Sequence, residues 1–163
     1  MAIPSALITG GTGFVGSAII DALAKKHPSC LITSLDINRP KSTSNHKSNV
    51  SFVQADVTNL EDITKAIVSV SPALVIHTAG IVPPLAERYG RKLEDLVHTI
   101  NVVGTRNVLK ASQEAGVQAF IYTSSCCAVT DEMSFSYAYI NESWPTSRNS
   151  LIYGESKVSW LYA

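Results

Sequence analysis

Short apolar runs alternate along this chain with stretches whose apolar residues recur every three to four positions. "ALIT" (Ala6–Thr9) is too short for a helix and runs into glycines, so it predicts a buried strand. Val15, Ile19, Ala22 and Leu23 then recur at helical spacing until Pro28. "LITSLD" (Leu31–Asp36) and the alternating "VSFVQ" (Val50–Gln54) predict two more strands. The polar, aperiodic stretch Arg39–Asn49 between them predicts a surface loop. Leu60, Ile63, Ile67 and Val70 mark an amphipathic helix capped by Thr58 or Asn59. "ALVIH" (Ala73–His77) is a fourth strand, followed by a loop with Pro83 and Pro84. Leu93, Leu96, Val97, Ile100, Val103, Val108 and Leu109 predict one long helix that ends near Gly116. "AFIYTSS" (Ala119–Ser125) is the fifth strand, residues 128–150 are polar and irregular, and "LIYGESKVSWLYA" opens a last helix.

Several of these strands are apolar on both faces, which requires a sheet covered on both sides. With right-handed crossovers the fold class is α/β, a doubly wound parallel sheet of the Rossmann type. No internal repeat and no low-complexity segment interrupts this pattern.

Composition narrows the classes of partner. The chain is 163 residues long with 45% hydrophobic residues, enough for one domain burying about 70% of its unfolded surface. Its formal net charge is zero, which argues against nucleic acid or an anionic membrane as the main partner. No apolar run approaches the ~20 residues that span a bilayer, and "MAIPSALITGG" lacks a basic signal-peptide start. Cys30, Cys126 and Cys127 suggest neither a disulfide framework nor a zinc site, so a reduced, cytoplasmic setting is expected. Asn141-Glu142-Ser143 matches a glycosylation acceptor that has meaning only in a secreted chain.

Chemistry concentrates in a few places. In "LITGGTGFVGSAI", Gly11, Gly13 and Gly16 fit G-x-G-x-x-G, and Gly10, Gly13 and Gly16 fit G-x-x-G-x-x-G. Phe14 and Val15 complete the turn. Such a turn lets a pyrophosphate approach bare backbone at the positive end of a helix. Asp36 lies 20 positions beyond Gly16 and closes the second strand, where a carboxylate accepts hydrogen bonds from the adenosine ribose. It would repel a 2′-phosphate, favouring NAD over NADP, although Arg39 is near enough to blur the preference. Asp56 and Val57 follow the third strand, where they either meet adenine or simply turn the chain. Tyr153 and Lys157, four apart, share one helix face with about 5–6 Å between Cβ atoms. An ammonium beside a phenol favours phenolate, the form that takes a proton. His77 ends a buried strand and reads as structural. Trp144 and Trp160 read as packing or pocket wall, and Arg88, Arg91 and Lys92 as a solvated face.

"TGGTGFVG", "QADVTN", "HTAG", "INVVGTRNVL", "FIYTSS" and "YGESK", in this order, resemble the extended short-chain dehydrogenases/reductases. "FIYTSS" and "ESWP" look most like the 3β-hydroxysteroid dehydrogenase/isomerase branch, which includes the sterol-4α-carboxylate 3-dehydrogenases. The resemblance implies that Gly10, Gly13 and Gly16 hold the pyrophosphate, Asp36 the ribose, and Asp56 with Val57 the adenine. It implies that Ala79 and Gly80 line the path to the nicotinamide ribose, and that Asn101 matches a frequent asparagine. Ser125, Tyr153 and Lys157 match the catalytic residues, with Ser124 the alternative serine. UDP-sugar epimerases usually carry Val-Tyr-Gly after the serines, whereas this chain has "CCAVTD".

The implied activity is NAD-dependent oxidation of a sterol or steroid 3β-alcohol to a ketone. The implied partners are a sterol-like alcohol or ketone and a second copy in a homodimer. Full-length relatives are expected at the endoplasmic reticulum. The alternatives are a dinucleotide-binding module without turnover, or another reductase or epimerase of the extended family. The family's chains continue well past the lysine into a smaller substrate-shaping region. Residues 1–163 are therefore expected to be one dinucleotide-binding domain, truncated before that region.

Overall fold

The computed structural model describes residues 3–40, 47–129, 139–141, 143–144, 146 and 151–159. They form two compact units. The first comprises the described residues up to Ala79 together with Gly104–Thr123, and the second comprises Gly80–Val103 together with the described residues from Ser124 onward.

The first unit is built on five parallel strands: β1 (Ser5–Thr9), β2 (Leu31–Asp36), β3 (Val50–Gln54), β4 (Leu74–His77) and β5 (Ala119–Tyr122). Their order is β3-β2-β1-β4-β5, the doubly wound arrangement expected. The register aligns the carboxyl ends: Thr9 pairs with Leu35 and with His77, and His77 pairs with Tyr122. The fifth strand stops at Tyr122 rather than Ser125 because β4 ends at His77 and offers no further ladder partner. Thr123 is held instead through its N–H and hydroxyl, both donated to the His77 carbonyl.

Side-chain alternation divides the core between the two faces. Leu7, Leu35 and Val75 pack with Ile63, Ile67, Val108 and Ala111 from helices α2 (Leu60–Val70) and α4, the latter running Gly104–Glu114. Ala6, Ile8, Ile32, Leu74 and Ile76 pack with Ile20 and Ala24 from helix α1 (Phe14–Lys26). Each fully buried aliphatic side chain of this kind contributes about 1.5–3 kcal/mol. The inward stripe of α1 is Gly16, Ile20 and Ala24, with Ile19 and Leu23 beside it, so Val15 faces solvent instead of the core.

The two helix starts differ. Asn59 caps α2, its side-chain oxygen accepting from the N–H groups of Glu61 and Asp62 at 3.0 and 3.3 Å. Gly13 begins α1 with no side-chain cap and no acid in the first turn. Those first-turn amides are left for another acceptor.

The second unit holds a 3₁₀ turn (Leu85–Glu87), helix α3 (Glu94–Val97), a π-helical segment (His98–Val103), a second 3₁₀ turn (Cys126–Ala128) and helix α5 (Ile152–Ser156). The long helix expected over residues 93–116 is thus not uniform. The π segment inserts extra backbone and turns Asn101 and Val102 inward, where 3.6-residue periodicity placed Ile100 and Val103. Arg91 is more than a solvated cation, since it pairs with Glu94 and, at 3.1 Å, with Glu155 of α5. Among the described residues no helix is long and apolar enough to cross a membrane. All three cysteines are thiols, Cys30 buried, Cys126 exposed and Cys127 half-buried. Trp160 and Glu142 lie outside the described residues, while Trp144 is half-buried.

Candidate active site

Strand order reverses between β1 and β4, and in such sheets ligands bind beyond the carboxyl ends at this switch point. The residues after both strands meet there. Gly10 follows β1 with φ +67°, a left-handed conformation that a side chain disfavours, and a Cβ on it would stand 2.8 Å from the Ala79 backbone. Ala79 follows β4 and donates its N–H to Thr9 Oγ1 at 3.3 Å. The Gly13 N–H donates to the Gly10 carbonyl at 3.0 Å, closing the turn. A Cβ on Gly16 would lie 2.2 Å from that same carbonyl oxygen, so only glycine lets α1 start this close to the turn. Phe14 and Val15 are exposed, at 93% and 49%, and so contribute backbone rather than side chain to the turn.

Asp36 completes this half. Its Oδ2 accepts from the Thr12 N–H at 3.1 Å and its Oδ1 from the Asn38 N–H at 3.0 Å. The carboxylate is thereby tied to the glycine turn and borders an open hollow of about 1000 Å³ shared with Gly11, Thr12, Gly13 and Arg39. A Cβ on Gly11 would meet Ser34 Oγ at 2.3 Å, so that hydroxyl would have to turn aside. A bare turn, an uncapped helix start and a fixed acid beside a hollow of that size fit the adenosine diphosphate half of a dinucleotide.

Asp56 and Val57 are placed differently. Asp56 Oδ1 accepts from Thr58 N and Thr58 Oγ1, both at 2.8 Å, the turn role that its position after β3 allowed. The Val57 side chain is in the core against Gly104, and its carbonyl accepts from Asn107 Nδ2 at 3.0 Å. His77 is structural: fully buried, it has Nδ1 2.6 Å from Thr9 Oγ1 and Nε2 2.9 Å from Thr105 Oγ1.

The second unit gathers the remaining candidates. Ser125 is half-buried and precedes the 3₁₀ turn, accepting from the Cys127 N–H at 3.2 Å, whereas Ser124 is exposed. The Ser125 side chain lies close enough to the Tyr153 phenol to favour its ionised form. Lys157 is 6% exposed and its Nζ sits 5.6 Å from the centre of the Tyr153 ring. Gly80 leaves room for this group, since a Cβ there would approach Asn101 Oδ1 to 3.1 Å and Lys157 Nζ to 3.4 Å. Burial pushes the Tyr153 phenol above its ordinary pKa, partly offset by Ser125, and negative charge at Cys127 and Cys126 adds to the rise. Burial pulls Lys157 below the usual lysine range. Burial is thus the dominant influence on both groups, raising the phenol and lowering the lysine.

Asn101 is the centre of a buried network. Its Oδ1 accepts from Ile81 N at 2.8 Å, and its Nδ2 donates to Ile81 O at 2.9 Å and to Ser156 Oγ at 3.0 Å. Ser156 carried no signal in the sequence beyond its place in "YGESK".

Known proteins resemble this chain in sequence and in fold. The chain is 32% identical over 158 residues to the 3-beta-hydroxysteroid dehydrogenase of Mycolicibacterium neoaurum, covering 93% of this chain and 40% of that protein. It is 28% identical over 148 residues to the decarboxylating sterol-4-alpha-carboxylate 3-dehydrogenase of Candida albicans, covering 88% and 40%. Among solved structures, the Thermus thermophilus UDP-glucose 4-epimerase in complex with NAD matches at a TM-score of 0.77 and 26% identity, covering 97% of this chain and 49% of that one. The chain thus spans about two fifths of the length of these curated relatives. The model of the 3-beta hydroxysteroid dehydrogenase/isomerase family matches residues 7–159, so nearly the whole sequence carries that family's pattern, and the chain belongs to it.

Proposed function

We propose that the full-length protein is an NAD-dependent dehydrogenase that oxidises the 3β-hydroxyl of a sterol or steroid to a ketone. The observation that carries this reading is that one unit holds Ser125, Tyr153 and Lys157, with Lys157 Nζ over the Tyr153 ring and the Ser125 side chain acting on the Tyr153 phenol. The names of the dehydrogenase relatives support the substrate class, and the NAD complex of the epimerase supports the cofactor.

On this reading the Gly10–Gly16 turn and the start of α1 hold the pyrophosphate, and Asp36 accepts from the adenosine ribose hydroxyls. Ala79 and Gly80 border the nicotinamide ribose, with Asp56 and Val57 toward adenine through backbone. Bound there, oxidised nicotinamide supplies the acceptor for the hydride and a positive charge. Ser125 holds the substrate oxygen through its hydroxyl. Tyr153 Oη takes the proton of the substrate alcohol. Lys157, as an ammonium, stabilises the phenolate that this requires. The described residues supply the dinucleotide-binding part of this reading, and the chain spans about two fifths of the length of its curated dehydrogenase relatives. Such an enzyme works in the cytoplasm or at a membrane surface facing it, and a homodimer is compatible with the reading.

The test is Tyr153→Phe in the full-length protein, assayed by formation of reduced cofactor from a 3β-hydroxysteroid and NAD. Turnover should fall by about 10²–10⁴-fold while NAD affinity holds. Normal turnover by this variant refutes the mechanism. Wild-type turnover only on non-steroid ketones or UDP-sugars refutes the substrate class.

A further inference from the structure

We propose that Ser156 is a positioning residue for the proton-transfer pair, an inference that rests on the role given above to Tyr153 and Lys157. Helix α5 has only five residues, far too few to hold its own shape in water. The orientation of Tyr153 and Lys157 must therefore be imposed from outside the helix. Ser156 is 4% exposed and lies between them in sequence. Its hydroxyl donates to the Tyr153 carbonyl at 2.8 Å and accepts from Asn101 Nδ2 at 3.0 Å.

A helical serine bonded to the carbonyl three residues back is ordinarily close to neutral for stability. The second bond distinguishes this one. Asn101 is itself 1% exposed and is gripped through both side-chain polar atoms by the Ile81 backbone. Ser156 thus connects the Tyr153 carbonyl to a fixed point in the π segment. The same carbonyl receives the Lys157 N–H at 3.2 Å, so one anchored oxygen sets the backbone of both members of the pair. The titratable groups around Tyr153 are Lys157, Cys126 and Cys127, and Glu155 is paired with Arg91. None of these replaces the link to Asn101.

The experiment compares Ser156→Ala and Ser156→Thr in the full-length protein, with a 3β-hydroxysteroid and NAD at saturation across pH. Loss of the hydroxyl should lower kcat about tenfold, the cost of a loosened reacting geometry. It should also move the midpoint of the kcat profile to higher pH, because the ammonium is no longer held to the phenol. Threonine, whose hydroxyl reaches the same i−3 carbonyl in a helix, should restore both to within about twofold. A Ser156→Ala enzyme with kcat and pH midpoint unchanged overturns the proposal. So does one whose kcat falls with an unmoved midpoint and no recovery in the threonine variant, since that pattern is structural loss alone. Tyr153→Phe run alongside separates the failures: an active Tyr153→Phe enzyme removes the catalytic reading and this inference with it. An inactive one beside a normal Ser156→Ala enzyme removes the inference alone.

Discussion

Replacing Gly16 with alanine sets two physical effects against each other. In an exposed helix interior, glycine to alanine stabilises by about 1 kcal/mol. At Gly16 the new methyl carbon would sit 2.2 Å from the Gly10 carbonyl oxygen and 2.8 Å from both Gly10 C and Gly11 Cα. These are backbone atoms, so no side chain can rotate aside, and the turn and helix start must part by about 1 Å. Overpacking of this kind costs about 1–3 kcal/mol, and opening the turn also strains the Gly13-to-Gly10 hydrogen bond, another ~1 kcal/mol. The net expectation is destabilisation by about 1–3 kcal/mol, a fall in the thermal midpoint of roughly 2–10 °C for a protein of this size. NAD affinity should fall at least about tenfold, because parting the turn from the helix start displaces the backbone amides that would face the pyrophosphate. The assay is a chemical or thermal melt followed by circular dichroism, with calorimetric titration of NAD. Gly90→Ala is the control: its Cβ would find nothing nearer than 3.8 Å, so its stability should stay within about 0.5 kcal/mol. A Gly16→Ala protein that melts at or above the parent and binds NAD equally well would refute the close-approach argument.

Four other expectations follow, two from hydrogen bonding and two from burial of titratable groups. Asp36→Ala removes the acceptor shared by Thr12 N and Asn38 N, so NAD affinity should drop about 10–100-fold in calorimetry while discrimination against NADP relaxes; equal affinity for both would take Asp36 out of the site. Asn59→Ala strips the cap of α2 and should cost about 1 kcal/mol in a denaturant titration. Lys157 has a folded pKa below its unfolded value, so the unfolded chain binds the extra proton and stability rises as pH climbs from the depressed value toward the ordinary one. Lys157→Met should therefore raise the melting midpoint at neutral pH, by an amount that shrinks as pH approaches the normal lysine range. Tyr153 acts oppositely, its raised pKa making stability fall above the ordinary tyrosine value.

The sheet was readable in the sequence because apolar runs of five or six residues have one economical use between helices. β2 and β3 begin and end where their pattern does. The glycine turn and the place of Asp36 beside it were readable because a left-handed backbone, a close helix–turn approach and a strand end each favour a particular residue type at a particular place. The π segment was not, since periodicity assumes a constant number of residues per turn and an inserted residue shifts every later position. Asn101 was found by resemblance, but its grip on Ile81 and Ser156 depends on that shift. Ser156 was missed for a related reason: a serine in a helix looks the same whether its hydroxyl meets water or a buried amide. The raised Tyr153 pKa was also illegible, because burial is a property of packing rather than of the four-residue spacing to Lys157.

The interleaved path of the chain has a consequence for biosynthesis. When residues up to Ala79 have left the ribosome, β1 to β4 can pair, yet Leu7, Leu35 and Val75 still lack Val108 and Ala111 from α4. At roughly 5–20 residues per second, another 2–9 s or so must pass before residue 123 is made. For that interval a nascent chain displays a greasy half-finished face and an open strand edge, an obvious target for a chaperone and a point where a translational pause would be hazardous.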